Sequence, residues 1–178
     1  MIPEHVNPND VDIWFQDETR VGQQGSLSRL WSLKGQRMTV ARQRQFISSY
    51  IYGAVCPKTG QASGMVLPYA NGVCMKLHLD AISKKIPEGR HGLLIVDRAS
   101  WHGEKYNREN LTLMHLPPYS PELNPVEQVW AWLKKKKLSN RCYKNYDDIV
   151  DAACEAWNVF EEDVDLIKSM CTRSWAIL

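Results

Sequence analysis

Apolar and polar positions change period several times along the chain, and each change marks an expected element. Residues 11–17, V-D-I-W-F-Q-D, are dense in β-branched and aromatic residues and predict a strand ending near Asp17. The polar, glycine-containing stretch E-T-R-V-G-Q-Q-G-S-L-S-R then reads as a loop or hairpin excursion. A short strand with a turn at Lys34-Gly35 is expected between Trp31 and Val40. Phe46 to Val55 predicts a strand, K-T-G at 58–60 a turn, and Ala62 to Leu67 a further strand, together an antiparallel meander.

Asn71 is placed to cap a helix running to about Lys85, with Val73, Leu77 and Ile82 on its apolar face and Leu79 and Ala81 extending it. Pro87 and Gly89 stop that element. G-L-L-I-V-D, ending at Asp97, is the kind of short apolar run that forms a central strand covered on both faces. A short helix is expected from Gly103 to Asn110, then a strand over L-T-L-M-H-L at 111–116. The prolines of P-P-Y-S-P-E-L-N-P make a rigid lead-in to a helix, because each restricts its predecessor and removes a donor. In that helix Val126, Val129, Trp130 and Leu133 share a face, with Asn124 as cap and Pro125 in the first turn. Asp147 to Phe160 predicts a last helix, its apolar side built from Ile149, Ala152, Ala153, Ala156 and Trp157. Strands followed by alternating helices and strands make this one mixed α/β domain.

With 178 residues, 44% hydrophobic and 24% charged, the chain can bury a full core. No stretch approaches the roughly 20 apolar residues of a membrane span. The N-terminus lacks the basic and apolar regions of a signal peptide, so a cytoplasmic protein is expected. The five cysteines show no C-x-x-C spacing and read as reduced thiols. Net charge is only +2, but residues 19–79 carry eight Lys or Arg and no acid, while 147–165 carry eight acids and no base. Either the first segment supplies local positive charge for phosphate contacts, or the two segments neutralise each other. Arg37, Arg42 and Arg44 are the candidates in that segment. Lys134 and Lys135 open a basic run on the late helix that suits either the helix dipole or a phosphate patch.

Three acids stand out. Asp17 and Asp97 each follow an apolar strand, and carboxylates at neighbouring strand ends can meet. Glu127 lies in the first turn after the rigid segment, which would hold its direction. Glu18 should face the other side of the strand, Asp12 its outer edge, and Glu122 is a reserve for Glu127. His102, five residues beyond Asp97, would line the site or contact phosphate, or would equally be a hydrogen-bonded surface histidine. Three carboxylates without a His or Cys cluster fit a hard cation, Mg²⁺ or Mn²⁺. Two such ions about 3.5–4 Å apart can serve phosphodiester cleavage by acting on both the attacking and the leaving oxygen.

W-F-Q-D-E at 14–18, I-V-D-R-A-S-W-H at 95–102 and L-P-P-Y-S-P-E-L-N-P-V-E-Q-V-W at 116–130 resemble, in order, the DDE transposase domain of the bacterial insertion-sequence group related to Tc1/mariner transposons. The resemblance implies an RNase H-like fold in which Asp17, Asp97 and Glu127 match the three catalytic, metal-binding carboxylates. It also implies Mg²⁺ or Mn²⁺, as two ions, and double-stranded DNA as partner, both transposon ends and target, with a homodimer on DNA. Strand cleavage and transfer to TA targets would be the activity, in a bacterial, nucleoid-associated setting. Arg98 stands where the group usually has Asn, and the Asp97–Glu127 interval is shorter than usual. Both leave open a catalytically inactive DNA- or partner-binding remnant. The chain starts just before the first strand, so a single catalytic domain over 1–178 without the N-terminal helix-turn-helix region is expected.

Overall fold

The computed structural model describes residues 3–4, 6–25, 27–29, 31–36, 39–102 and 106–176. Five strands, β1 (Val11–Gly22), β2 (Ser48–Cys56), β3 (Gln61–Leu67), β4 (His91–Val96) and β5 (Leu111–His115), form one sheet in the order β3-β2-β1-β4-β5. β1, β2 and β3 are the expected antiparallel meander, while β4 pairs with β1, and β5 with β4, in parallel. Helix α1 (Gly72–Lys85) carries the chain from β3 to β4, while α2 (Val126–Leu133), α3 (Tyr146–Glu161) and α4 (Val164–Cys171) follow β5.

Alternation along the strands sorts the core into two layers. Phe15, Ile51, Val55, Leu93 and Ile95 pack with Val129, Leu133, Ala153, Trp157 and Phe160, beneath the three late helices. Trp14, Ala54, Leu94 and Val96 pack on the other face with Met75, Leu79 and Ile82 of α1. β4 is buried along its whole length, which accounts for its uninterrupted apolar sequence.

Five expectations need correction. β1 does not stop at Asp17 but continues through Gly22, because residues 15–22 pair with β2 and bury Thr19 and Val21. Its polar residues disguise half a strand. α1 is capped by Asn71, whose side chain accepts from the N–H groups of Val73 and Cys74, but its buried stripe is Cys74, Met75, His78, Leu79 and Ile82. Val73 and Leu77 face outward. The expected helix at 103–110 falls partly outside the described residues. Of its described remainder, Tyr106 is 3-10 helical and the rest is a turn closed by reciprocal Arg108–Leu111 backbone bonds, since Asn107 and Asn110 bond to the main chain of Leu113 and Ser83 instead of sustaining a helix. Between Trp31 and Val40 the described residues form no strand, only the turn at Lys34-Gly35. Asp12 is buried rather than at an outer edge and is paired with Arg90. Among the described residues no helix is long and apolar enough to cross a membrane.

Candidate active site

The parallel register of β1 and β4 brings the two aspartates together. Phe15 pairs with Ile95, and two residues further along each chain stand Asp17 and Asp97. Both share the parity of Phe15 and Ile95, whose side chains lie in the layer beneath α2. Asp17 therefore sits in mid-strand, on the neighbour of the strand that Asp97 terminates.

Glu127 reaches this place through the proline-framed segment. A 3-10 turn at Pro121–Leu123 delivers the chain to Asn124, which is buried. Its Nδ2 donates to the carbonyl of Gln16 (3.0 Å), and its Oδ1 accepts from Val126 N–H (3.1 Å). One side chain thus caps α2 as expected and fastens the helix start to the residue before Asp17. A cleft of about 420 Å³ results, lined by Asp17, Asp97, Arg98, Asn124, Glu127 and the proline segment. Arg98 Nε donates to Leu116 O (3.1 Å), which ties its guanidinium to the cleft wall.

Asp17 lies beneath an aromatic roof. Trp130, one helical turn after Glu127, donates its Nε1–H to Asp17 Oδ2 (2.8 Å). The ring fits because Gly53 stands opposite Asp17 on β2. A Cβ at Gly53 would lie 2.6 Å from Cη2 of both Trp130 and Trp157, and one at its partner Gly64 only 2.1 Å from Trp157 Nε1. Burial pushes the Asp17 carboxyl up to about 7, with nearby Glu127 and Glu18 adding to the shift and the Trp130 bond opposing it.

Asp97 has the opposite surroundings. Its side chain is 56% exposed, and Oδ1 accepts from Ala99 N–H (2.9 Å) and lies 2.6 Å from His102 Nδ1, which also bonds the main-chain carbonyl of Asp97 (3.2 Å). The His102 bond holds this carboxyl below its ordinary range. On its far side His102 Nε2 meets Glu18 Oε1 (3.2 Å), which also accepts from Trp101 Nε1 (3.3 Å). Burial alone would lower the His102 pKa, but the bonds to Asp97 and Glu18 prevail and raise it to about 9. The imidazole is therefore charged at neutral pH. Its side chain has no exposed surface and is held by hydrogen bonds, the alternative to phosphate contact, though it is buried and not on the surface.

The remaining basic candidates do not gather at the cleft. Lys134 lines a separate pocket of about 120 Å³ with Arg20, Leu138 and Tyr143. Lys135 is exposed on the next turn, Arg42 and Arg44 are exposed on the long β1–β2 connection, and Arg37 lies outside the described residues. Glu122 does not line the cleft. Sequence pattern marks Trp130 only as a packing residue and gives no partner for Glu18. The available signal for Trp130 is its spacing of one turn from Glu127.

Among the described residues no three His, Cys, Asp or Glu side chains close on a single point as they stand. The three acids instead border one space, and an oxygen-only set of this kind suits a hard cation. The raised pKa of Asp17 comes chiefly from its burial, with the neighbouring Glu127 and Glu18 charges adding to it.

The model of the DDE superfamily endonuclease family matches residues 12–150. The chain is 47% identical over 130 residues to the uncharacterized protein y4pE/y4sA of Sinorhizobium fredii (strain NBRC 101917 / NGR234), an alignment covering 72% of this chain and 96% of that protein. In structure it is similar to the Mos1 strand transfer complex, with a TM-score of 0.65 at 17% identity, over 89% of this chain and 50% of that one. The mariner Mos1 paired end complex with Mg gives 0.64 at 18% identity, over 89% of this chain and 50% of the other. The chain thus spans about half the length of the transposase chains it resembles in structure, and the likeness is one of fold, the expected RNase H-like mixed sheet with flanking helices. With the family model covering most of the chain and all three acids inside the matched span, this protein belongs to the DDE superfamily endonucleases.

Proposed function

We propose that this chain is the catalytic domain of a transposase, cleaving DNA strands and joining them to a target with Mg²⁺ or Mn²⁺ held by Asp17, Asp97 and Glu127. The observation that carries this reading is the shared cleft, into which two neighbouring strands and the start of α2 bring one carboxylate each. When bound, the ions supply Lewis acidity at the scissile phosphate and a nucleophilic water or 3′-hydroxyl at neutral pH.

The chain's own residues have distinct roles. Asp97, kept ionised by His102, offers a standing negative charge. Asp17 completes the charge as its proton leaves, which happens near neutrality. Glu127 contributes from a helix start fastened to β1. Arg98 is placed to meet a phosphate oxygen from the cleft wall. Lys134, seven residues beyond Glu127, stands roughly 10 Å further along the helix by its rise per residue and would hold DNA backbone without reading bases.

Arg98 also favours a second reading, an inactive DNA-binding remnant, because a cation in the cleft competes with metal. The stretch between Asp97 and Glu127 nevertheless retains β5, and α2 is whole, so the short interval removes neither. A Mn²⁺-supplemented nicking and strand-transfer assay comparing the wild-type chain with Asp97→Ala separates the two. Activity in the wild type alone is the expected result. Metal-insensitive DNA binding without nicking by the wild-type chain would establish the remnant.

A further inference from the structure

The two aspartates share a feature that neither strand explains. Each has one carboxylate oxygen occupied by a ring N–H from outside the sheet. Trp130 Nε1 donates to Asp17 Oδ2 at 2.8 Å, and His102 Nδ1 stands 2.6 Å from Asp97 Oδ1, an oxygen that also accepts from Ala99 N–H, while bonding the Asp97 main-chain carbonyl as well (3.2 Å). Neither ring is free to turn. Trp130 lies against Trp157 (5.9 Å between centroids) in the space left by Gly53. His102 is held from behind by Glu18 and flanked by Trp101, 6.1 Å away and edge-on. Glu18 is in turn fixed by the Trp101 N–H and has only 8% of its side chain exposed.

We propose that Trp130 and His102, the latter backed by Glu18, are positioning residues that lock the side chains of Asp17 and Asp97, so that each turns its other oxygen to a shared divalent cation. This rests on the metal reading above. A carboxylate free to rotate offers either oxygen, and ordering it on ion binding costs conformational entropy. A ring N–H bond made in advance lowers that cost and disfavours two-oxygen chelation by either aspartate. Oxygen ligands held in fixed directions favour the compact, near-octahedral shell of Mg²⁺ and Mn²⁺ over larger ions with looser shells. The same helix carries Glu127 and the Trp130 donor, so its placement sets the third carboxylate and the orientation of the first together. Glu18, an acid beside the site that faces away from it, holds the imidazole whose other nitrogen holds Asp97.

The test is Mn²⁺ affinity, read as free ion by electron paramagnetic resonance, with thermal unfolding followed on the same samples. Trp130→Phe keeps a ring in the space and removes the N–H. It should bind Mn²⁺ about tenfold more weakly, the lower end of what loss of a ligand-orienting partner costs, while still unfolding cooperatively. His102→Asn places an amide N–H where Nδ1 stands, and His102→Gln places one where Nε2 stands. The first should retain affinity close to wild type and the second should lose about tenfold. A packing role would lower stability in both without separating their affinities. Unchanged affinity in Trp130→Phe, or equal affinities in His102→Asn and His102→Gln, overturns the proposal and leaves the metal reading standing. Wild-type binding no tighter than that of Asp17→Asn or Asp97→Asn overturns both.

Discussion

The Asp17 side of the cleft and the Asp97 side hold the same functional group on adjacent strands, yet they treat its charge in opposite ways. Asp17 lies beneath Trp130 in an apolar layer, and burial moves its pKa to about 7. Asp97 stands at a strand end open to solvent, bonded to a cationic imidazole, and titrates below its ordinary range. Strand register sets the distance between them, whereas the layer each meets above and behind the sheet sets the charge. In the proposed function, one carboxylate would be ready before the ion arrives and the other would be completed by it. That division avoids placing two uncompensated charges side by side in the metal-free protein.

The strongest way to break the contrast is to remove either group. Asp17→Ala and Asp97→Ala should each lower the Mn²⁺-supported nicking rate by about 10³-fold, the several kcal/mol a bound metal contributes to the transition state, measured on supercoiled plasmid. Residual activity in one variant near wild type would show that only the other acid matters.

Proton competition should separate the two sides next. Because Asp17 must lose its proton to bind, Mn²⁺ affinity should rise with pH by up to about tenfold per unit below pH 7 and level off above it. Asp97 adds no step in that range. Stability follows the same linkage with the sign reversed. A folded-state pKa raised above 3.8 means the native protein binds the proton more tightly than the unfolded chain. The Asp17 contribution to metal-free stability should therefore fall as pH rises from about 4 to 7, against an opposing rise from buried His78, whose pKa is lowered to about 4, and Asp17→Asn should make the measured slope more positive in urea unfolding. His102, raised to about 9, contributes stability fully below its unfolded pKa of 6.5 and loses it as pH rises through about 9.

A smaller effect sharpens the origin of the Asp17 environment. Gly53→Ala sets a methyl group against Trp130 and Trp157, and overpacking of this kind costs about 1–3 kcal/mol. It should disturb the Asp17 side and leave the His102–Asp97 bond intact, visible as an unchanged histidine titration by NMR. The smallest expected effect lies outside the cleft. Lys134→Ala should weaken DNA binding a few-fold for every sequence and reduce the salt slope by about one.

How much of this is legible in sequence depends on whether a residue's role is local. The apolar run ending at Asp97, the Asn124 cap and the α2 face all follow from nearby residues, and each stands where the pattern puts it. The second half of β1 escapes such reading because it alternates polar residues against β2, and only pairing reveals it as strand. The face of α1 misleads because Val73 and Leu77 are apolar yet turned to solvent, while His78 is buried against Ser63. α4 leaves little signal at all, since Val164–Cys171 is short and buries only Ile167 and Cys171. In the candidate site the three acids can be named from their elements and their likeness to a family. The charge of each cannot, because it depends on Trp130 bonding Asp17 across 113 residues and on Glu18 bonding His102 across 84. A side chain's neighbours across a sheet leave no periodic trace.

Joint binding of the catalytic ions by the three carboxylates of this cleft can be seen by anomalous diffraction from crystals grown with Mn²⁺. A manganese peak bridged by Asp17 and Asp97 is expected, with Glu127 reaching the same ion or a second one about 3.5–4 Å away. Peaks confined to other parts of the surface at saturating Mn²⁺, with these side chains unmoved, would contradict it.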